Sequence, residues 1–366
     1  MNFDESVIYF KLIFMKSVTF IPDYNNLLSV LLNQRPARLP LYEHHIDAPF
    51  ISKVLGEKLD SENIKSDELV HYYKKIIGFW ENMTYDGFDF EAAICDILPG
   101  HGAIMGGKAG PIQTREDFEK YPWKDIPEIF RDKYNPHFEA IRKTLPAGMK
   151  AYGGCGYGIF EASQDLVGFE HLCVMQCLDP ELFRDLFLRI GDLWCKLWSW
   201  VIRNYDDIFV FYRMGDDLGH KTSTMLDPDI IRQHIFPQYK RIINLIKTSG
   251  KKFLLHSCGN IFPLMEEIIS LGIDAKHSNE DQIALFSEWI EKYSDRIGLF
   301  GGFDLNLLIL NKPDDIFREI LEKGTIYRAT ARGYGLGSGN SIPGYVPVDG
   351  FIALIEAVKE IRRREL

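Results

Sequence analysis

Two side chains that could bind one metal ion lie two residues apart in the stretch FLLHSCGNI, residues 253–261. His256 and Cys258 follow an apolar run and precede a Gly-Asn turn. Because alternate residues of a strand point to the same face, the imidazole and the thiolate could reach a single zinc ion. Such a site needs at least one further protein ligand. The alternative is a packed thiol beside a hydrogen-bonded imidazole, and the spacing leaves both interpretations open.

Carboxylates end two other apolar runs. Asp216 and Asp217 close the run in RMGDDLGH, and Asp96 closes the run in AICDILPG. Adjacent strand residues point to opposite faces, so we expect only one of the paired acids to face a shared pocket. Each of these acids could instead cap a helix or pair with a nearby base. We predict Asp96 and Asp217 as catalytic groups together with His256, and Asp216 as a substrate-binding group.

Polar side chains also collect at the ends of most other apolar runs. Burying so many ionisable groups without partners would be costly, so their clustering indicates one polar pocket. Beyond the residues above, this pocket is predicted to contain Glu43, His44, His45, Cys155, Tyr157, His277, Glu280, Asp304 and Asn340. Within that set, we predict a role in substrate binding for Glu43, His45, Tyr157 and Asn340.

Eight short apolar runs must position these side chains. They begin near residues 38, 92, 149, 207, 251, 272, 296 and 331, and patterns of amphipathic helices separate several of them. Strands that alternate with helices predict a parallel sheet, and about eight such units predict an α/β fold, a single (β/α)8 (TIM) barrel. In that fold the active site lies at the C-terminal ends of the strands. An open doubly wound sheet is the alternative, and the lack of a Gly-x-Gly-x-x-Gly motif argues against it.

The composition predicts a soluble globular protein, because 46% of the residues are hydrophobic and 26% are charged. The net charge is −10 and Lys and Arg are scattered singly, which argues against a nucleic-acid partner. Six cysteines in 366 residues fit reduced thiols in a cytoplasm. The run VIYFKLIFMKSVTF is too short and too charged to span a bilayer. We therefore expect a cytoplasmic protein without a membrane partner.

The run GDDLGHKTSTMLDPDIIRQHIFPQYKRIINLIKTSGKKFLLHSCGNIFPLMEEIISLGIDA, residues 215–275, resembles the uroporphyrinogen decarboxylase superfamily, and in particular its corrinoid-linked methyltransferases. AAICDIL, GLFGGFD and GYGLGSGNSIPGYVPVDGFIALIEAV resemble further segments of this family in the same order. The likeness is slight over residues 1–30, so we predict an N-terminal extension over 1–30 and the barrel over 31–366. The resemblance implies a (β/α)8 barrel with its active-site cleft at the strand C-terminal ends.

Two departures from the family pattern argue against tetrapyrrole decarboxylation. LPLYEHHIDAPF replaces the Arg-rich motif that holds substrate carboxylates in uroporphyrinogen decarboxylases, so Glu43 and Asp47 would repel a polycarboxylate. The family's late Gly-His-Gly is also missing. One alternative is a metal-free decarboxylase or other lyase that acts on a smaller acid, with Asp96 handling the proton. Another is a barrel that binds a ligand without catalysis.

The zinc methyltransferases of this superfamily use His-x-Cys and a later cysteine. His256 and Cys258 match the first two positions, but no cysteine follows Cys258, and the third position would fall near Asn340. The resemblance therefore implies zinc on His256 and Cys258, with Glu280 or an imidazole such as His277 completing the site. More oxygen and nitrogen ligands favour Lewis-acid activation of an ether or alcohol oxygen over activation of a thiol.

The resulting hypothesis is a corrinoid-dependent methyltransferase. It would move a methyl group from a small methoxy or methylamine compound to a corrinoid protein, with the help of zinc. The chain has no Asp-x-His-x-x-Gly signature, so we expect a partner protein to carry the corrinoid and to dock over the barrel mouth. A homodimer is also compatible with the sequence.

Overall fold

The computed structural model describes residues 20–59 and 64–365. Its centre is one parallel sheet of seven strands, hydrogen-bonded in chain order. The strands are β1 Gly87–Ala93, β2 Lys150–Gly156, β3 Phe209–Gly215, β4 Phe253–His256, β5 Ala275–His277, β6 Gly298–Phe303 and β7 Tyr334–Ser338. β3, with the sequence FVFYRMG, is buried at every position. Continuous burial is typical of a parallel strand that is covered on both faces.

Helices surround the sheet. The helices are α1 Asn25–Leu31, α2 Ala48–Leu55, α3 Leu69–Asn82, α4 Arg115–Lys120, α5 Ile126–Thr144, α6 Ile159–Val167, α7 Phe169–Leu178, α8 Pro180–Tyr205, α9 Pro228–Ile230, α10 Phe236–Thr248, α11 Met265–Ser270, α12 Phe286–Tyr293, α13 Leu305–Leu310, α14 Pro313–Thr330 and α15 Val348–Glu365. Short 3₁₀ turns lie at Cys95–Ile97, Ala103–Met105, Asp206–Ile208 and Phe262–Leu264, and a π-helical turn, Ile231–Ile235, joins α9 to α10. Across the described ranges, no helix is both long and apolar enough to cross a membrane.

The sheet is curled so that its opposite walls meet. The ring centroids of Phe211 on β3 and Phe300 on β6 lie 6.1 Å apart, although β4 and β5 separate the two strands. Tyr42 lies between the walls, 5.0 Å from the ring of Tyr152 and 4.6 Å from that of Phe300. The prediction of an α/β fold with a parallel, barrel-like sheet is therefore confirmed.

The eighth predicted strand does not form, so a complete eight-stranded barrel is not confirmed. The run 38–45 contributes only an isolated parallel bridge between Leu41 and Leu336 of β7, and Ile46 makes a second bridge to Ile342. The other edge of β1 has no strand partner among the described residues. Pro40 lacks a backbone N–H, which shortens any ladder at this position. We call the gap between the segment 40–49 and β1 the seam.

The run AAICDILPG also differs from its prediction. The strand is β1, which ends at Ala93, and Asp96 lies beyond it in a 3₁₀ turn. Apolar residues after Ala93 misled the prediction because a buried turn and a buried strand have the same apolar composition. Ile94 and Ile97 are both buried, although neither belongs to the sheet.

The start of the described chain packs into the barrel-like sheet. α1 falls within the predicted extension, and its Leu27 and Val30 are completely buried against a cluster that includes Tyr42 and Phe300. Residues 1–19 of the predicted extension, which include most of the run VIYFKLIFMKSVTF, lie outside the described residues. The domain boundary at residue 30 stays a prediction.

Candidate metal centre

Strand register brings two histidines side by side at the C-terminal edge of the sheet. His256 ends β4, His277 ends β5, and the two residues are paired directly across the parallel ladder. Their Nδ1 atoms lie 2.7 Å apart, which is a hydrogen-bond distance. One of the two rings must therefore donate a proton to the other.

The carbonyl of Ser338 decides which ring donates. Nε2 of His277 lies 3.0 Å from this carbonyl oxygen, which can only accept, so the proton of His277 is on Nε2. Burial lowers the pKa of His277 to about 3, which leaves the ring neutral with a bare Nδ1. His256 must then donate from its Nδ1. Burial also lowers the pKa of His256, so its Nε2 carries a free lone pair.

Two further donor atoms lie near that lone pair. Sγ of Cys258 is 3.4 Å from Nε2 of His256, and Oδ1 of Asp217 is 3.9 Å from it. The backbone N–H of Cys258 donates to the same Asp217 oxygen at 2.8 Å, which fixes the carboxylate beside the thiol. Nitrogen, sulfur and oxygen ligand atoms of these three residues all lie within 4.8 Å of one another.

This donor set fits zinc. Catalytic zinc sites have three protein ligands drawn from imidazole, thiolate and carboxylate, with a position left for water or substrate. Burial, and after it the Asp217 carboxylate, raises the pKa of the Cys258 thiol, so the thiol stays protonated before an ion binds. Metal binding must therefore release that proton. The chain of hydrogen bonds from Ser338 through His277 to His256 is the kind of outer support that orients a zinc-bound imidazole.

A second group of potential ligands, His44, His256 and His277, is less suited to an ion. The rings of His44 and His256 are stacked, with centroids 3.5 Å apart and planes only 13° from parallel. Lone pairs lie in the ring planes, so those of two stacked rings do not converge on one ion. Both nitrogens of His277 are already used in hydrogen bonds. We therefore interpret His44 as a ring that packs on His256, and not as a second ligand of the same ion.

The predicted third ligand, Glu280, is not part of either group among the described residues. Its Oε1 accepts the backbone N–H of Gly259 at 3.2 Å. Asp217, which we predicted as a catalytic group, takes the position beside Cys258 instead. Asn340, predicted to bind substrate, directs its Nδ2 toward Sγ of Cys258 at 3.6 Å. Of the predicted residues, the structure thus brings together His256, Cys258, Asp217 and Asn340, with His277 and His44 against the ring of His256.

Two acids predicted to bind substrate have structural partners. Both oxygens of Asp216 accept backbone N–H groups at the start of α6, from Phe160 at 3.0 Å and Glu161 at 2.9 Å, and Tyr239 adds a third bond at 2.6 Å. Glu43 is completely buried and its carboxyl group binds the backbone and hydroxyl of Ser338. Neither carboxyl group is available to a ligand, so this geometry gives no support to a substrate role for them.

Asp96, Tyr157 and His45 lie apart from the candidate metal ligands His256, Cys258 and Asp217. Asp96 is half-exposed, and its partners are Lys133 at 3.3 Å and the thiol of Cys95. Tyr157 follows β2 with φ of 82°, a strained conformation for a non-glycine residue, and its buried hydroxyl has no protein partner in the part of the chain that is described. His45 is half-exposed and its Nδ1 lies 2.6 Å from Asp89.

Sequence reasoning missed a buried ion network next to this group. Arg213 of β3 donates to Asp89 at 2.6 Å and to Glu91 at 2.7 Å, both on β1, and its Nη1 also donates to the carbonyl of His44. The signal was present, because Arg213 is the one charged residue in the apolar run FVFYRMG. Lys276 gives a similar signal in IDAKHS; it is buried with Nζ 3.7 Å from the ring centre of Trp289, and burial lowers its pKa to about 7.

Comparison with known proteins places these observations in a family context. A family model for uroporphyrinogen decarboxylase (URO-D) matches residues 104–361, more than half of the chain. Among solved structures, a methyltransferase from Methanosarcina mazei has a TM-score of 0.71 at 16% sequence identity, over 92% of this chain and 97% of that chain. That likeness shows a shared fold.

A D-psicose 3-epimerase from Clostridium cellulolyticum H10, solved with D-tagatose, matches with a TM-score of 0.37 at 12% identity, over 80% of this chain and 92% of that chain. A likeness of that size carries no argument about fold or function. None of the curated proteins matches the chain.

Proposed function

The chain belongs to the uroporphyrinogen decarboxylase family, and from that membership we propose that it is a methyltransferase. It passes a methyl group from a small methoxy or methylamine compound to a corrinoid protein, with zinc held by the chain's own residues. The shared fold with a methyltransferase supports the choice of this branch of the family.

One observation carries the proposal. His256, Cys258 and Asp217 gather nitrogen, sulfur and oxygen donor atoms within 4.8 Å of one another at the C-terminal edge of the sheet. Barrels of this class place their chemistry at that edge. A lyase that works without a metal does not need a convergent donor set or an imidazole whose tautomer is fixed by two further residues.

Each residue of the site has a distinct role. His256 would hold the ion through Nε2, Cys258 through its thiolate, and Asp217 through a carboxylate oxygen. When bound, zinc supplies Lewis-acid polarisation of the heteroatom that carries the methyl group. His277 and Ser338 keep the His256 ring in the tautomer that leaves Nε2 bare. With the Asp217 carboxylate instead of a second thiolate among the ligands, the ion would receive less electron density and would be a stronger Lewis acid.

The reaction balances as a transfer of a methyl cation. The bond from carbon to the substrate heteroatom breaks, and its electron pair stays on the heteroatom, which then takes up one proton from water. The acceptor cobalt on the partner protein, as Co(I), supplies the electron pair for the new bond. The partner must approach the C-terminal edge of the sheet, where the metal-binding residues lie.

Metal analysis together with methyl transfer tests the proposal. Protein purified without chelator should contain about one equivalent of zinc and should methylate a Co(I) corrinoid protein from a methoxy or methylamine donor, followed at the cobalt absorption bands. Cys258→Ser should lose both properties, whereas Cys177→Ser, which changes an exposed thiol elsewhere, should keep both. Zinc below about one-tenth of an equivalent would overturn the zinc assignment. Consumption of a small carboxylic acid with release of CO₂ would favour the lyase.

A further inference from the structure

A cavity of about 570 Å³ lies at the seam, between the segment that follows His44 and the unpaired edge of β1. Its volume falls within the range of small-molecule sites, roughly 300–1,000 Å³. His44 forms part of its wall and is stacked on His256. The seam cavity is therefore separated from the metal-binding residues by the thickness of one imidazole ring.

Part of the lining of the seam cavity is aromatic. Tyr72, Tyr73 and Trp80 of α3 and Phe90 of β1 line it. Trp80 and Phe90 are buried, and the hydroxyl of Tyr73 is bonded to His137 at 2.8 Å, so these rings are held in place. Fixed aromatic rings bind apolar bodies, and their faces also attract cations.

The lining also includes hydrogen-bond acceptors. Glu91 uses Oε1 to bind Arg213, while Oε2 receives no bond from any described protein donor. Asp47 accepts the backbone N–H of Gly344 at 3.1 Å through one oxygen, and its other oxygen lies 3.6 Å from His45, beyond hydrogen-bond distance. Each of these two carboxylates thus has one oxygen that can accept a further hydrogen bond.

The basic side chain of His45 also lines the seam cavity, but its Nδ1 is already bound to Asp89 at 2.6 Å. No Lys or Arg lines the seam cavity within the described ranges. Arg213 lies just behind the wall, but it is 1% exposed and its donors already bind Glu91, Asp89, Tyr42 and the carbonyl of His44. A carboxylate or phosphate ligand would meet Asp47 and Glu91, while the nearby cationic groups are already bound to carboxylates of the protein.

We propose that the seam cavity binds an organic ammonium ion with an aromatic or branched apolar body. The apolar body packs against Tyr72, Trp80 and Phe90, and the positive nitrogen lies near Asp47 and Glu91. A neutral ligand of the same shape would leave the spare carboxylate oxygens unsatisfied, and an anion would be repelled. This proposal rests on the cavity and does not depend on methyl transfer or on zinc.

Equilibrium binding of three probes of matched shape tests the proposal by calorimetry, without corrinoid protein. Phenyltrimethylammonium is the cation, tert-butylbenzene is its neutral isostere, and 4-tert-butylbenzoate is the anion. The cation should bind at least about tenfold more tightly than the neutral probe, and the anion should not bind. Equal affinity of the cation and the neutral probe, binding of the anion, or no binding of the cation would each overturn the proposal.

Three variants locate the bound cation. Asp47→Asn removes a carboxylate of the seam cavity and should weaken cation binding about tenfold while leaving binding of the neutral probe unchanged. Glu291→Gln neutralises an exposed carboxylate on α12 and should change neither. Cys258→Ser alters the metal-binding group and should leave cation binding intact. Cation binding that survives Asp47→Asn, or that is lost in Cys258→Ser, would contradict the placement of the ligand.

Discussion

Nδ1 of His256 lies 2.7 Å from Nδ1 of His277, and Nε2 of His277 lies 3.0 Å from the carbonyl oxygen of Ser338. A backbone carbonyl cannot donate, so the direction of both hydrogen bonds is fixed from one end. The carbonyl of Ser338 therefore determines, through the ring of His277, that Nε2 of His256 carries no proton. Four experiments follow from this and from the neighbouring contacts.

Replacing His277 should weaken zinc binding even though His277 is not a ligand. In His277→Phe, Nδ1 of His256 loses its acceptor, so the ring can place its proton on Nε2. We expect the dissociation constant for zinc, measured by competition with a chromophoric chelator, to rise about 10- to 100-fold.

His277→Asn provides the matched control, because its side-chain oxygen can accept at the position of the lost Nδ1. It should restore a large part of the affinity that His277→Phe loses. Equal affinity of His277→Phe and the unmodified protein would show that the imidazole chain does not set the tautomer of His256.

Exchanging acids separates the two candidates for the third ligand. Asp217 lies beside Nε2 of His256, whereas Glu280 binds the backbone of Gly259. Asp217→Asn should therefore weaken zinc binding by at least about 100-fold, more than the loss of an outer partner costs. Glu280→Gln should change it by less than about threefold. The reverse order, measured by the same competition, would restore Glu280 as the ligand predicted from the sequence.

Glu43 should make stability fall as the pH rises. The hydroxyl of Ser338 has one proton for two acceptors, the carboxyl group of Glu43 and the carbonyl of Asn340 at 2.7 Å, so a protonated Glu43 can supply the second hydrogen bond. Burial raises the pKa of Glu43 to about 8, against 4.5 for the ordinary group. Between these values the folded state holds a proton that the unfolded state has lost, so stability decreases from about pH 4.5 to about pH 8.

Glu43→Gln supplies the same donor and acceptor without a titrating proton. In denaturant unfolding at pH 5 and pH 8, it should gain stability relative to the unmodified protein by on the order of a few kcal/mol at the higher pH. Glu291→Gln, at an exposed site, should follow the unmodified protein at both pH values. Parallel curves for Glu43→Gln and the unmodified protein would mean that Glu43 is ionised in the folded state.

Arg213 should be essential for stability. Its guanidinium is 1% exposed and pairs with Asp89 and Glu91, which are themselves largely buried. Arg213→Met leaves two acids without their cation, so we expect a loss of about 3–5 kcal/mol in the free energy of unfolding. Arg203→Met, at an exposed position of α8, should cost less than about 1 kcal/mol in the same denaturant titration. A similarly small loss in Arg213→Met would show that water reaches the acids.

The fold could be predicted because buried strands are runs of apolar residues in the sequence. Seven of the eight apolar runs contain or border strands, and amphipathic patterns between them correspond to helices such as α8. The run beginning at residue 38 was not distinguishable from the others, since a chain that lies beside β7 with isolated bridges is as apolar as one that joins the sheet. Asp96 was misplaced for the same reason: apolar residues continue beyond the end of β1.

Only those parts of the site that depend on spacing along one strand, or on the ends of neighbouring strands, could be predicted from the sequence. The spacing correctly brought His256 and Cys258 together, with Nε2 and Sγ 3.4 Å apart, although β4 ends at His256 and Cys258 lies beyond it. Asp217 was recognised as the acid that follows the neighbouring strand. The contact between His256 and His277 could not be predicted from spacing, because their 2.7 Å distance depends on the register of β4 with β5. The choice of Asp217 over Glu280 likewise depends on which carboxylate a backbone N–H holds next to the thiol.

The seam gives one point of this sheet an unusual kind of connection. Elsewhere neighbouring strands are joined by backbone hydrogen bonds, which are nearly the same whichever amino acids supply them. Across the seam the links shown are made by side chains, His45 with Asp89 and Arg213 with the carbonyl of His44. Links of that kind depend on the identity of single residues. A single substitution at His45, Asp89 or Arg213 can therefore remove a link across the seam. The width of the sheet at this place can change in this way without a change in the backbone pairing of the strands.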